Sequence, residues 1–305
     1  MSVIEVQGLT KTYANKQALQ DVTFSVAGGT CFGLLGPNGA GKSTTMKILT
    51  GIIDGDGGTA KVLGLDAKRE RGQIQRKVGY VPQEITLYDK LSAYDNLLFF
   101  GELYDVKGKE LKARIATVLE QVGLTDRAKD AVQTFSGGMK RRINIAAALL
   151  HQPQVLILDE PTVGIDPQSR NHIFNMIRQL KEQGVTVIYS THYMEEVEAL
   201  CDDLAIIDNG RVVVQGSLQE LLDKYVQQAI FVQAEEWAEL PAFTHVKAVH
   251  QEQRGHIVET DNLLETMQSI TQTALQQGVN IRELEIVRPS LETVFLTLTG
   301  TSLRD

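Results

Sequence analysis

Eight consecutive residues, Gly36-Pro37-Asn38-Gly39-Ala40-Gly41-Lys42-Ser43, have the types and spacing needed to hold phosphate. They match the pattern G-x-x-x-x-G-K-[ST]. Glycines let the backbone curl so that successive N–H groups point inward, and a helix starting at the end of the loop adds partial positive charge. Lys42 can bridge the outer phosphates of a nucleotide, and the Ser43 hydroxyl can ligate Mg²⁺. Far along the chain, Val155-Leu156-Ile157-Leu158-Asp159-Glu160 ends an apolar run on two carboxylates. Asp159 can hold Mg²⁺ through its water shell while Glu160 polarises an attacking water. A helix N-cap following a core strand is the plainer reading, and it accounts for one acid better than for two.

Such residues work together only if the fold gathers them. Thr30–Leu35 is a compact apolar run before the phosphate loop, and Lys42–Thr50 carries apolar residues at helical spacing after it, giving strand–loop–helix. Val155–Leu158 is fully apolar, as a buried parallel strand should be. A helix over Pro167–Gln183 and a strand over Val185–Tyr189 follow. Strands alternating with helices predict a parallel α/β sheet, in which the C-terminal strand ends share the edge where the phosphate loop lies. Val3–Val26 alternates apolar and polar residues and predicts short antiparallel strands. The glycine-rich turn Asp54–Gly58 leads into another strand. Ser92–Tyr104 and Lys109–Val122 predict two successive amphipathic helices, a helical insertion into a mixed domain. A last strand pair flanks Asp208-Asn209-Gly210, and Ser217 is placed to cap a helix reaching Tyr225.

Beyond Tyr225 the texture changes. Glutamine becomes frequent, and strands are predicted at Ile230–Ala234, Val246–Val249, Ile257–Thr260 and Ile281–Val287, with helices at Asn262–Gln277 and Ser290–Leu298. This reads as a small α+β domain of residues 225–305 behind a main domain of residues 1–224. No catalytic constellation is visible in it, and Asp261 and Glu265 read as a solvated face.

Composition sets outer limits. A chain of 305 residues accommodates one large domain and a smaller one, since single cores rarely grow past about 250–300 residues. Hydrophobic residues at 43% and charged residues at 22% exclude wholesale disorder. A formal charge of −8 disfavours nucleic acid as a partner. Cys31 and Cys201 lack metal-ligand or redox spacing and read as two reduced thiols. Met1-Ser2-Val3-Ile4-Glu5 shows no basic region followed by an apolar one, so no signal peptide is expected, and no run approaches the roughly 18–20 apolar residues that cross a bilayer.

Phe135-Ser136-Gly137-Gly138-Met139, followed by Lys140-Arg141-Arg142, resembles the signature usually written LSGGQ of the ABC ATPase family. Phosphate loop, signature and acidic strand stand in that family's order and spacing. The resemblance implies a P-loop NTPase fold of the ABC type: α/β, with a mixed sheet core, an antiparallel β subdomain and a helical subdomain. It implies that Ser136, Gly137 and Gly138 cap the γ-phosphate of ATP held by an opposite subunit. It counts Thr44 with the phosphate loop among the nucleotide-binding residues. Tyr13 resembles the aromatic that stacks on adenine, with a half-exposed strand tyrosine as its plain alternative. Gln83 resembles the glutamine that contacts Mg²⁺ and the lytic water and relays nucleotide state to a membrane partner, which would touch Ser92–Val122. Asp166, in Pro161-Thr162-Val163-Gly164-Ile165-Asp166, resembles the acid of the loop that crosses the dimer interface. His192 resembles the switch histidine at the γ-phosphate; the other five histidines read as structural.

The signature departs from the family at Phe135 and Met139, which leaves its serine and glycines intact. Its wording resembles the drug-resistance exporter branch, as does the tail through Pro289–Gly300. The expectation is therefore an ATP-hydrolysing subunit, with ATP and Mg²⁺, paired head to tail with a second ATPase subunit, most simply its own copy. It would sit at the cytoplasmic face of the inner or plasma membrane, peripheral through separately encoded permease subunits. The competing expectation is a soluble ABC-type ATPase of translation or repair; the two halves in one chain, long coiled coils or basic arms of such proteins are not seen.

Overall fold

Alternation at the N-terminus builds two long antiparallel strands, β1 (Ser2–Tyr13) and β2 (Lys16–Ala27), turning at Ala14. Each has 12 residues, longer than the alternation suggested, because bulges between Val6, Leu9 and Lys11 break the pattern without ending the pairing. The computed structural model describes residues 1–235, 237 and 239–299; the tail motif's Gly300 and the end of the 225–305 assignment lie outside them.

From β2 the chain enters β3 (Cys31–Leu35), buried at every residue, and then α1 (Lys42–Leu49). Next come β4 (Gly57–Val62), β5 (Leu65–Asp66), the short α2 (Arg71–Gln75) and β6 (Val78–Val81). The helical insertion is α3 (Ala93–Leu103), capped by Ser92, and α4 (Gly108–Gln121). Then follow α5 (Gly137–Leu149), β7 (Val155–Asp159), α6 (Pro167–Glu182), β8 (Thr186–Thr191) and α7 (Met194–Leu200). The hairpin β9 (Asp203–Asp208) and β10 (Arg211–Ser217) ends the series; Ser217 closes β10, and the next helix, α8 (Leu218–Tyr225), starts after it.

Two sheets result. The antiparallel one has the order β2-β1-β4-β5, and the six-stranded one the order β10-β9-β3-β8-β7-β6. In the larger sheet β3, β6, β7, β8 and β9 run parallel, and only the edge strand β10 is reversed. Its register places Leu35 beside Thr191 and Asp159 beside Ser190. The residues that follow these strand ends are Gly36, Glu160 and His192, so one sheet edge delivers the phosphate loop, both carboxylates and the histidine. One apolar cluster joins the sheets, with Leu9, Phe24, Phe32, Met46, Ile157 and Ile188 among its members. Cys31 on β3 and Cys201 after α7, remote in sequence, bring their Sγ atoms to 3.8 Å as buried thiols. That contact and burial together hold the Cys201 thiol well above its usual pKa.

Contacts divide the chain between Leu218 and Gln219. The second unit holds all of α8 after its first residue, then β11 (Gln228–Ala234), β12 (Val246–Glu252), β13 (Gly255–Thr260), α9 (Leu263–Gln277), β14 (Ile281–Val287) and α10 (Leu291–Thr299). Its antiparallel sheet, ordered β12-β13-β11-β14, closes a separate core around Ile230, Val232, Trp237, Val258, Ile270 and Ala274. Asp261 and Glu265 are solvated but not idle: they bracket His245, at 3.1 Å from Nδ1 and 2.6 Å from Nε2. Among the described residues no helix is long and apolar enough to cross a membrane.

Candidate functional site

The phosphate loop keeps its shape through contacts that need glycine. Gly41 sits at φ 111°, a left-handed value, and a Cβ there would lie 2.6 Å from Leu19 and 2.9 Å from the Ala18 carbonyl. The loop thus curls tightly into α1, whose first residues are Lys42, Ser43 and Thr44. Lys42 is 4% exposed, and its Nζ donates to the carbonyls of Gly36 at 2.6 Å and Pro37 at 3.1 Å. Asn38 and Gly39 stand exposed at the loop tip, and the buried Ala40 ties the loop to β9–β10 by accepting from Gly210 N–H.

Opposite the loop lies the acidic strand end. Asp159 Oδ1 accepts from the hydroxyls of Ser43 at 3.0 Å and Ser190 at 2.8 Å. Tyr80 OH reaches Asp159 Oδ2 at 3.5 Å, and burial followed by the charge of Asp159 pushes that phenol's pKa up. Glu160, 5% exposed, pairs with Lys42 through Oε1 at 3.0 Å and accepts from Gln83 Nε2 through Oε2 at 3.2 Å. Its backbone adopts φ 47°, left-handed for a residue with a Cβ, a conformation that costs on the order of 1–3 kcal/mol. Bonds from Glu160 N–H to the carbonyl and hydroxyl oxygens of Ser190 hold that turn. His192 Nδ1, a buried atom, lies 3.5 Å from Glu160 Oε2 without making a hydrogen bond.

Lys42, Ser43, Gln83, Asp159, Glu160 and His192 are therefore one constellation. A hydroxyl and a carboxylate at hydrogen-bond distance form an oxygen pair suited to a hard divalent cation. Two adjacent buried carboxylates against one ammonium leave negative charge that such a cation would offset. The cradle of loop N–H groups, the Lys42 ammonium and the His192 Nδ1 that makes no hydrogen bond fit a nucleotide's phosphates.

A second cluster forms elsewhere on the chain. Ser136 caps α5 by accepting from Met139 N–H at 3.3 Å, and Ser136 and Gly137 are exposed. Gly138 is buried against the start of α6, where a Cβ would meet Ser169 Oγ at 2.1 Å and Asp166 Oδ2 at 3.2 Å. Asp166 caps α6 through Ser169 N–H at 2.9 Å, and that bond foremost lowers the pKa of its carboxyl. None of the hydrogen bonds of Lys42, Ser43, Asp159 or Glu160 involves this cluster. Tyr13, 46% exposed at the end of β1, has Lys11 Nζ 5.6 Å from its ring centre.

Sequence reasoning passed over the residues that connect these parts. Arg141, 4% exposed on α5, donates to the carbonyls of Pro82, at 2.8 Å, and of Gln83, fixing the backbone that carries the glutamine. One turn on, Asn144 accepts from the Thr86 hydroxyl at 2.9 Å. The available signal was slight: Arg141 stands inside the basic run Lys140-Arg141-Arg142, and Asn144 is the one polar residue in the apolar stretch Ile143–Leu149.

Residues 19–163 match the family model described as ABC transporter, and residues 216–299 match the C-terminal domain of ATP-binding proteins like DrrA1-3. The linearmycin resistance ATP-binding protein LnrL of Bacillus subtilis (strain 168) is 44% identical, covering 99% of this chain and 100% of that one. The daunorubicin resistance ATP-binding protein DrrA2 of Streptomyces coeruleorubidus is 36% identical over 97% of this chain and 95% of its own length. The Nod factor export ATP-binding protein I of Ralstonia nicotianae is 36% identical over 99% and 95%. Among solved structures, an ATP-binding subunit of an ABC transporter aligns with a TM-score of 0.67 at 31% identity, covering 73% of this chain and 93% of that one. A dimeric ATP-binding cassette in a post-hydrolysis state with ADP and phosphate aligns at 0.65 and 25% identity, over 70% and 98%.

Proposed function

The chain belongs to the ABC transporter ATPase family, as an ATP-binding and ATP-hydrolysing subunit, and from that premise we propose that it drives an exporter as a head-to-tail pair. The observation that carries the pairing is the separation of the two clusters. Lys42, Ser43, Asp159, Glu160, Gln83 and His192 converge, while Ser136 and Gly137 are exposed at the start of α5 and share no hydrogen bond with them. A small-residue helix start is itself a receptor for an anion, so each copy offers its α5 N-terminus to the phosphates held by the other. Gly138 seats that helix start on Asp166, which places the crossing loop beside the signature.

Within each site, Lys42 exchanges the Gly36 and Pro37 carbonyls and Glu160 for the outer phosphates. Ser43, Asp159 and Gln83 are the residues that would hold Mg²⁺, which when bound neutralises phosphate charge. Freed from Lys42, Glu160 takes a proton from the attacking water, Gln83 orients that water, and the free imidazole nitrogen of His192 meets the γ-phosphate. Tyr13, with its ring exposed, supplies a stacking face for adenine.

The pair would sit at the cytoplasmic face of the membrane, bound to separately encoded permease subunits. Later in the chain than Gln83, Tyr88, Phe99 and Leu103 expose apolar surface, with Tyr88 and Phe99 edge to face at 5.1 Å, and this supports docking on the α3–α4 region. Export is supported by the resistance and export names of the full-length relatives and by the matching second unit. Tagged Glu160→Gln chain, purified from detergent-solubilised native membranes, should bring along a polytopic membrane protein. Recovery of only soluble, ribosomal or nucleic-acid partners would overturn coupling to transport.

A further inference from the structure

Glu196 is a buried carboxylate with no task in the cycle just described. It lies on α7 and is 2% exposed. Three hydroxyls donate to it: Thr162 Oγ1 to Oε1 at 2.7 Å, Tyr189 OH to Oε2 at 3.0 Å, and Thr191 Oγ1 to Oε2 at 2.7 Å. The Arg170 guanidinium stands 4.0 Å from Oε1 and is itself partly exposed. Withdrawing a carboxylate from water is costly, and an apolar residue would bind a helix to a sheet more cheaply. The placement of the three donors gives the charge a purpose.

Thr162 lies two residues after Glu160, in the loop that leads from the strained turn toward Asp166. Thr191 is the residue before His192. The Thr191 hydroxyl gives its proton to Glu196 and, with a lone pair so directed, accepts from Tyr193 N–H at 2.9 Å, closing the backbone around His192. Tyr189 OH also stands 3.0 Å from Thr162 Oγ1, so the two sides lie in one buried cluster around the acceptor they share. A single carboxylate therefore grips both the segment leaving Glu160 and the segment carrying His192, whose ring nitrogen stands 3.5 Å from the Glu160 carboxylate. Hydroxyls are short donors with steep distance dependence, so their shared acceptor fixes both segments against each other more narrowly than apolar packing would.

We infer that Glu196 is a positioning residue for ATP hydrolysis: by holding Thr162 and Thr191 at once, it sets the separation of Glu160 from His192. The inference rests on the roles proposed for those two residues. Glu196→Gln preserves volume and one acceptor oxygen but removes the charge that orders three donors. It should lower the single-turnover hydrolysis rate about tenfold or more while ATP affinity changes by no more than about twofold. If Glu196 acts by setting that separation, the loss should vanish in a His192→Ala background, because the distance no longer matters there. An equal further loss in that background, or an unchanged rate in Glu196→Gln alone beside an impaired His192→Ala, would overturn the inference. An unimpaired His192→Ala would overturn it together with the role given to His192. Thr191→Val and Thr191→Ser keep the test open should Glu196→Gln fold poorly. The valine variant should lose hydrolysis and the serine variant should retain it; equal rates in both would overturn the inference.

Discussion

Glu160 combines two costs at one position, a left-handed backbone and a buried carboxylate, and both are met locally by Ser190 and Lys42. Its carboxylate is held by Lys42 on one oxygen and Gln83 on the other, so substitution by glutamine keeps the shape and removes the base. General bases contribute about 10²–10⁴-fold, and steady-state phosphate release by Glu160→Gln should fall by that order. Gly138 is a second residue whose type is dictated by contact. Gly138→Ala would force a Cβ to within 2.1 Å of Ser169 Oγ at the start of α6. Overpacking of this kind costs about 1–3 kcal/mol, which denaturant unfolding should report, and phosphate release should fall with it. The phosphate loop, the acidic strand end and the signature were legible because each is a short run of unusual residue types in fixed order. Glu196 was not, because an acid on a helix reads as solvated until β8 and the Thr162 loop are seen to close over it. Nor was the Cys31–Cys201 contact, which depends on α7 returning the chain to β3.

At the scale of elements, the parallel strands were readable from apolar runs, whereas β6 was not. Val78–Val81 is too short to show a period, and its place at the sheet edge comes from pairing with β7. The same edge holds His151, which follows α5, bonds the Val78 carbonyl at 3.2 Å and stacks on Tyr104 with ring centres 3.9 Å apart. Burial lowers the pKa of this imidazole, so the folded state keeps it neutral where the unfolded chain, near pKa 6.5, takes up a proton. Its contribution to stability is then complete above that unfolded value and declines as pH falls below it, by at most about 1.4 kcal/mol per pH unit. His151→Phe retains a ring against Tyr104 and cannot titrate. The fall in melting temperature between pH 7 and pH 5 should be shallower for that variant than for the parent chain.

The whole chain is two units with separate cores, and only the first carries the phosphate loop and acidic strand end. A ligand that binds the native first unit raises that unit's stability by about 2.7 kcal/mol at a hundred times its dissociation constant. In calorimetry, ATP with Mg²⁺ should therefore raise the transition that reports the first unit. A first-unit transition that ATP with Mg²⁺ leaves unchanged would contradict an ATP site in residues 1–218. On this reading a complete site needs two copies, because no hydrogen bond joins Ser136 to the Lys42 and Ser43 of its own chain. Light scattering of Glu160→Gln at saturating ATP and Mg²⁺ tests it most directly. The predicted result is a dimer that appears with ATP and dissociates when ATP is withdrawn; a monomer under those conditions would contradict it.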